Sequence, residues 1–379
     1  MKLLFLPGSR RGPASRFRVW QFVEPLRNLG HQVTVRVTYP EHYWRTSLKT
    51  RGVRYLHAKV GRYLRICSGL HCVRDAGSYD LVFMNRAIVP EAGVRFVEPW
   101  LAKKNRNIIF DFDDAIHRVG DNESKLRFIL PHFACVTAGN EYLASFAREV
   151  NDRVEVWPTV VDTQKYRAAT VRKPGPVRVG WSGSRDTLKY CFPLLTPIIR
   201  ELGKTERFEF VVIADVPPID SGDGLNPTFL PWTAEKEVEG LQQIDIGLMP
   251  LEDKPFERGK CGLKAIQYMG CGTPALVSPV GVNEQIVKHG ETGFHCRAVD
   301  DWVGYLRQLI RNPGMRLQIG RLARERVETY YSVSSLLPRM VSLFHDVSAS
   351  RQGQAVLPPK GETVATQAAV SVCGNGRRG

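Results

Sequence analysis

The chain has 379 residues, 43% of them hydrophobic and 24% charged, a globular composition with room for two separate cores. No apolar run approaches the ~20 residues of a membrane span. Cys67, Cys72, Cys135, Cys191, Cys261, Cys271, Cys296 and Cys373 show neither a CxxC nor a paired metal spacing, which argues against a disulfide framework or a zinc module and for reduced thiols in the cytoplasm. The formal net charge of +15 asks for acidic partners.

The N-terminal Met1-Lys-Leu-Leu-Phe-Leu-Pro7 is too short for a signal peptide and reads as a buried first strand over 2–6. A Gly/Pro/Ser loop (7–15) follows, then a helix over 15–29 closed by Gly30, and a strand over 32–37. From His42 to Arg74 there are Arg45, Lys49, Arg51, Arg54, Lys59, Arg62, Arg65 and Arg74 and no acidic residue, with Trp44, Tyr55, Leu56, Tyr63 and Leu64 interleaved. This segment, 42–74, fits an anionic membrane surface, where each cation contributes about 1 kcal/mol, or a solvated basic face. No nucleic-acid motif accompanies the charge, so nucleic acid is not an expected partner.

Short apolar runs at 81–84, 108–112, 135–137 and 154–157 predict further strands, with helical patterns between most of them. Residues 158–176 lack a strong apolar period and contain Lys173-Pro-Gly-Pro176, a linker signature. The alternation then restarts with strands at 177–181, 208–213, 244–249 and 275–277. Helices are expected at 187–202, 300–311, 315–330 and 333–345. The predicted organisation is an N-terminal domain over 1–165, a linker at 166–176, a C-terminal domain over 177–330, a terminal helix over 331–347 directed back to the first domain, and a disordered tail from 348 to 379. Two α/β units in tandem place a cleft between the carboxyl ends of two parallel sheets.

The densest motif is Gly259-Lys-Cys-Gly-Leu-Lys-Ala-Ile-Gln-Tyr-Met-Gly-Cys-Gly-Thr-Pro-Ala-Leu-Val-Ser-Pro-Val-Gly281. Gly262 and Leu263 open a helix, so their backbone N–H groups offer an anion site, and Lys260 and Lys264 add charge beside it. Taken with Val179-Gly-Trp-Ser-Gly-Ser-Arg-Asp-Thr-Leu-Lys189, Phe229-Leu-Pro-Trp232 and Gln243-Ile-Asp-Ile-Gly-Leu-Met-Pro250, it resembles the GT-B glycosyltransferases of the retaining family 4. The likeness is dense over 177–296 and sparse before 80. It implies an α/β fold of two Rossmann-like domains facing across a cleft, and transfer of a sugar from a nucleotide-sugar to a glycan, lipid-linked or small-molecule hydroxyl, with retention and without a metal or other cofactor.

The resemblance also implies residue roles. Lys189, six residues after Gly183, stands where the family carries a diphosphate lysine, and Arg185 lies in the same loop, where Ser184 takes the place of the usual arginine. The family's two glutamates, eight positions apart, fall on Gly259 and Gln267 here. Gln267 keeps a hydrogen-bonding amide for a ribose hydroxyl; Gly259 cannot contact the sugar, which leaves Lys260 or Glu257 for that task. Glu284 lies near the expected nucleotide or sugar. Gly8 lets the first loop approach donor phosphate or acceptor, with Arg16 and Arg18 at the helix start. Asp113 and Asp114, with His117 as a second candidate, occupy the strand end beside the sugar and acceptor; Arg86 faces them as partner. A nucleotide-sugar 2-epimerase and a non-catalytic GT-B subunit are the competing readings.

Overall fold

The structure is a computed structural model that describes residues 1–38, 51–89, 91, 93–169, 174–218 and 225–349. The segment 39–50 and the tail from 350, which includes most of the expected disordered end, lie outside the described residues, as do the side chains of 51–59.

Two six-stranded parallel sheets organise the chain. The first contains β1 (Lys2–Pro7), β2 (Gln32–Val35), β3 (Leu81–Asn85), β4 (Ile108–Phe112), β5 (Cys135–Ala138) and β6 (Val154–Val156), in the order β2-β1-β3-β4-β5-β6. The second contains β7 (Val177–Gly183), β8 (Phe208–Ala214), β9 (Thr228–Pro231), β10 (Ile246–Met249), β11 (Ala275–Val277) and β12 (Gly293–His295), in the order β12-β11-β10-β7-β8-β9. β1, β3 and β4 are buried along nearly their whole length because helices cover both faces, as parallel sheets require. Strand order reverses between β1 and β3 in one sheet and between β7 and β10 in the other, and such switch points open crevices at the strands' carboxyl ends.

A buried ion pair anchors the first loop to its sheet. Arg18, from a π turn over Arg16–Trp20, presents its guanidinium to Asp111 on β4, with Nε at 3.0 Å from Oδ2. Both side chains are excluded from solvent. Asn85 Nδ2 and Thr137 Oγ1 donate to the same carboxylate at 3.0 and 2.7 Å, and Arg18 donates onward to the carbonyls of Trp157 and Pro158. Burial opposes the Arg18 charge, but Asp111 overcomes this and holds the guanidinium above its ordinary value. The same π turn carries Arg16 and Phe17 out to the second domain, where Phe17 packs with Val161, Tyr166 and Met269 in one apolar cluster.

The helix Val333–Ala349 returns to the first sheet and inserts Leu336, Met340, Leu343 and Phe344 among Leu3, Phe5 and Phe83. A backbone bridge between Val161 and Ser332 ties the two chain crossings together. Two strands, β9 and β12, have no counterpart among the apolar runs of the sequence. Each is short, and β9 alternates little because it lies at a sheet edge. The basic segment forms a helix over Arg51–Val73. No helix among the described residues is long and apolar enough to cross a membrane.

Two outcomes follow from these buried groups. Arg18→Ala leaves the Asp111 charge buried and unpaired and should lower unfolding free energy by roughly 3–5 kcal/mol, whereas Arg27→Ala, at the exposed Arg27–Glu24 pair, should cost less than about 1 kcal/mol; urea midpoints compare them. His117 is buried, stacks on Phe146 at 4.4 Å between ring centroids, and is lowered from 6.5 to about 4 by burial, then by Arg118. The unfolded chain therefore takes up this proton first as pH falls, so His117's contribution is complete above about pH 6.5 and fades towards pH 4. His117→Phe should flatten the urea midpoint between pH 7 and 5.

Candidate functional site

Both switch points open into cavities, and the cavities meet. One, of about 480 Å³, lies between the domains at the ends of β7 and β10, lined by Ser182, Gly183 and Met249 on the second domain and Gly12–Ala14 and Phe17 on the first. The other, of about 650 Å³, lies in the first domain at the ends of β1 and β3, against Gly8, Asn85 and Arg86. Gly12, Pro13, Ala14 and Asp114 border both.

The interdomain cavity is cationic at one end. Gly262 adopts a left-handed backbone (φ +67°) as N-cap of the helix Leu263–Gly270, whose first intrahelical bond is Ile266 N–H to the Gly262 carbonyl at 3.1 Å. The N–H groups before Ile266 are thus the orphans of a helix start. Lys260 and Lys264 border the same space, and neither forms an ion pair within 4 Å among the described residues. Lys264 rests over the Trp181 ring at 5.1 Å, and Lys260 over Phe256 at 5.3 Å. Burial, then the nearby Lys260, lowers the Lys264 pKa, so an anion placed here relieves an existing electrostatic cost.

The other end holds a hydrogen-bonded chain across the seam. Glu237, a buried residue of the second domain, accepts from Arg16 NH1 at 3.2 Å and from Trp232 Nε1 at 3.0 Å, and also from the Tyr166 hydroxyl. Gln267 Nε2 donates to that hydroxyl at 3.4 Å. Burial alone would raise the Glu237 carboxyl; Arg16, Tyr166 and Trp232 hold it below its ordinary value. Burial and the adjacent Glu237 push the Tyr166 hydroxyl up, which keeps it a donor.

Gly259 lies where the domains touch. A Cβ there would meet Ala115 Cβ at 2.5 Å and its backbone N at 3.0 Å. Asn140, which caps the helix Glu141–Arg148 by accepting from Leu143 N–H at 2.9 Å, donates to the Gly259 and Lys260 carbonyls at 3.0 and 3.2 Å. Cys261 Sγ lies 3.0 Å from the Asp113 carbonyl. In this closed arrangement the first domain occupies the space a glutamate at 259 would need.

Arg86 NH2 bridges Asp113 Oδ1 at 2.9 Å and Asp114 Oδ2 at 2.6 Å at the junction of the two cavities. Arg86 itself is left-handed (φ +67°), the one such non-glycine among the described residues, a strained backbone of the kind found at functional sites. Burial raises the Asp114 pKa, as does Asp113, against Arg86 and Lys260.

Gly183, Lys260, Gly262, Leu263, Lys264 and Gln267 therefore share one cavity with Asp113 and Asp114, and Gly8 and Arg86 belong to the adjoining one. Arg185 and Lys189 border neither; they lie on a separate depression beside Phe192 and Pro193. Lys189 faces solvent 3.4 Å from Asp186, and the Arg185 N–H donates to Asp215. Glu284 is exposed and pairs with Arg297 at 3.2 Å. His117 is interior to the first domain, and Arg18 is consumed by Asp111. Sequence reasoning missed Tyr166, Glu237 and the interdomain role of Asn140. Glu237 sits in Glu235-Lys-Glu-Val-Glu239, which reads as an exposed helix start, and its partner Arg16 is 221 residues away.

The Anabaena protein HepE in complex with UDP-glucose superposes over 93% of this chain and 100% of its own, with a TM-score of 0.64 at 13% identity. The fold is GT-B. Within it, residues 226–326 match the Glycosyl transferases group 1 family, a span covering β9 to the helix Pro313–Tyr330 of the GT-B second domain. N-acetyl-alpha-D-glucosaminyl L-malate synthase of Bacillus anthracis is 28% identical over 112 residues, 29% of this chain and 28% of that one. D-inositol 3-phosphate glycosyltransferase of Pseudarthrobacter chlorophenolicus is 23% identical over 299 residues, 66% of this chain and 67% of that one. The matched stretch thus spans about a quarter to two thirds of these relatives.

The packing at Gly259 makes a specific outcome measurable. Gly259→Glu, which places there the glutamate that the resemblance implies, should wedge the domains apart, enlarge the radius of gyration in solution scattering, and cost roughly 1–3 kcal/mol of stability. Gly259→Ala should do less of both.

Proposed function

We propose that this protein is a glycosyltransferase that moves a sugar from a nucleotide-sugar to an acceptor hydroxyl. One observation carries the reading: two lysines with no ion pair within 4 Å among the described residues flank a helix start inside the cleft of a GT-B fold. When the bond between anomeric carbon and phosphate oxygen breaks, the electron pair leaves with the nucleoside diphosphate. Lys260, Lys264 and the N–H groups at Leu263 meet that growing negative charge. The protein thereby supplies the cationic charge itself, and we propose metal-independent transfer. Gln267, oriented by Tyr166, receives a ribose hydroxyl.

The acceptor, a glycan, lipid-linked or small-molecule hydroxyl, enters from the cavity at Gly8 and Arg86. Asp113 and Asp114 are tied to Arg86, so they orient this hydroxyl and do not act as free bases. The acceptor oxygen bonds to the anomeric carbon on the face the phosphate leaves, and its proton passes to a departing phosphate oxygen, giving retention. Arg185 and Lys189 remain candidate donor contacts only if their segment moves when donor binds, and Glu284 only if its pair with Arg297 opens. Nucleotide-sugars are water-soluble, and we place the protein in the cytoplasm. The UDP-glucose held by HepE makes UDP-sugars the first donors to test.

Thermal shift against UDP, GDP, ADP and dTDP conjugates selects the donor, since a ligand at 100 times its Kd adds about 2.7 kcal/mol. Acceptor-dependent release of the matching diphosphate should follow. Lys264→Ala should lower kcat/KM by about 10²–10³-fold, and Lys189→Ala by much less. Absence of both shift and release across the panel would favour a non-catalytic subunit; diphosphate release without an acceptor would favour an epimerase.

A further inference from the structure

The helices Arg51–Val73, Val97–Lys104 and Asn122–Ile129 share an outer face of the first domain that its cores leave uncovered. Val60, Tyr63, Leu64, Cys67 and Leu70 follow each other at helical spacing on the first of these. Gly69, on the opposite side, packs against Ile88 and Val89, which fixes the inward direction. Leu70 continues the stripe into a shallow apolar groove formed with Phe96, Trp100 and Phe128. Tyr63, Leu64, Phe96 and Phe128 are between 46% and 67% exposed, unusual for four large apolar side chains on one face.

The groove's remaining lining is Pro99 with two cations, Arg95 and Lys103, and no carboxylate. Arg95 lies over the Phe128 ring at 5.9 Å, and Lys104 over Trp100 at 4.5 Å. Lys103 is exposed, and no acidic residue occurs between His42 and Arg74. Glu91 and Glu123 lie nearby, but Arg65 pairs with the first and Arg127 with the second. The face therefore combines exposed aromatic rings with a cationic rim.

We propose that this face docks on an anionic lipid bilayer. The rings sit at the level of the headgroups and the cations meet lipid phosphates, the arrangement that charge complementarity favours over an uncharged partner. The helix Asn122–Ile129 links the face to chemistry. Phe128 borders the groove, while Asn122, Lys125 and Leu126 border the cavity that adjoins Asp114. Lys125 is fixed there by the buried Glu98 at 3.4 Å and by backbone carbonyls. Docking thus brings the mouth of the proposed acceptor cavity to the membrane interface. The docking stands apart from the transfer reaction; only the delivery of an acceptor rests on that reading.

Co-sedimentation of the full chain with vesicles tests this, using phosphatidylcholine alone and phosphatidylcholine with 30% phosphatidylglycerol as probes. The wild type should partition to the anionic vesicles at least tenfold better, and 0.5 M salt should weaken that binding. Tyr63→Glu/Phe96→Glu should abolish it while leaving diphosphate release with a soluble acceptor unchanged. Lys103→Ala, which leaves the apolar face intact, should weaken it about fivefold and serves if the first variant fails to fold. No partitioning of the wild type, or partitioning equal to wild type in the charge variant, overturns the proposal. So does a wild-type dimer in light scattering that Tyr63→Glu/Phe96→Glu converts to monomer, since the face would then belong to a second copy.

Discussion

Positive charge with no ion pair within 4 Å among the described residues, held in a cleft of low dielectric, is the constraint on which the rest of the site depends. Lys260 and Lys264 approach the start of the helix Leu263–Gly270 with aromatic rings beneath them and no carboxylate in ion-pair range among the described residues. Other cations among the described residues, such as Lys2, Arg27, Lys189 and Arg297, are exposed, where water screens them. These two lie where screening is weak, so the free energy of the empty cleft is raised and that of an anion-filled cleft is lowered.

Such a cleft exists only if two separately folded sheets hold their distance, and the buried pair of Arg18 and Asp111 begins that task. It fixes the first π turn to β4, which aims Arg16 and Phe17 at the second domain. Phe17 enters the second domain's apolar cluster and Arg16 reaches Glu237. On the opposite side Asn140 grips the Gly259 and Lys260 carbonyls, so the element carrying the lysines is positioned from the first domain. A side chain at 259 would meet Ala115 Cβ at 2.5 Å, so glycine suits this interdomain contact.

The parts legible in the sequence were those encoded locally. Parallel strands buried on both faces leave continuous apolar runs, and ten of these were found near their observed positions; the short edge strand β9 and the three-residue β12 leave no such run. Gly262, Lys260 and Lys264 were legible because a helix start, its glycine and its lysines fall within six residues. Asn140 caps its own helix, but its interdomain role depends on a carbonyl 119 residues away, which no local pattern encodes. Glu237 and Tyr166 were hidden for the same reason. Lys189 shows the converse case: its place six residues after Gly183 is what the resemblance expects, yet the helix turns it to solvent beside Asp186.

Calorimetric titration with a nucleoside, its monophosphate and its diphosphate tests the anion seat most directly. The diphosphate should bind at least a hundredfold more tightly than the nucleoside, and Lys264→Ala should remove most of that difference while leaving nucleoside affinity intact. Equal affinity of nucleoside and diphosphate for the wild-type protein would contradict the assignment of Lys260, Lys264 and the Leu263 helix start to the leaving group.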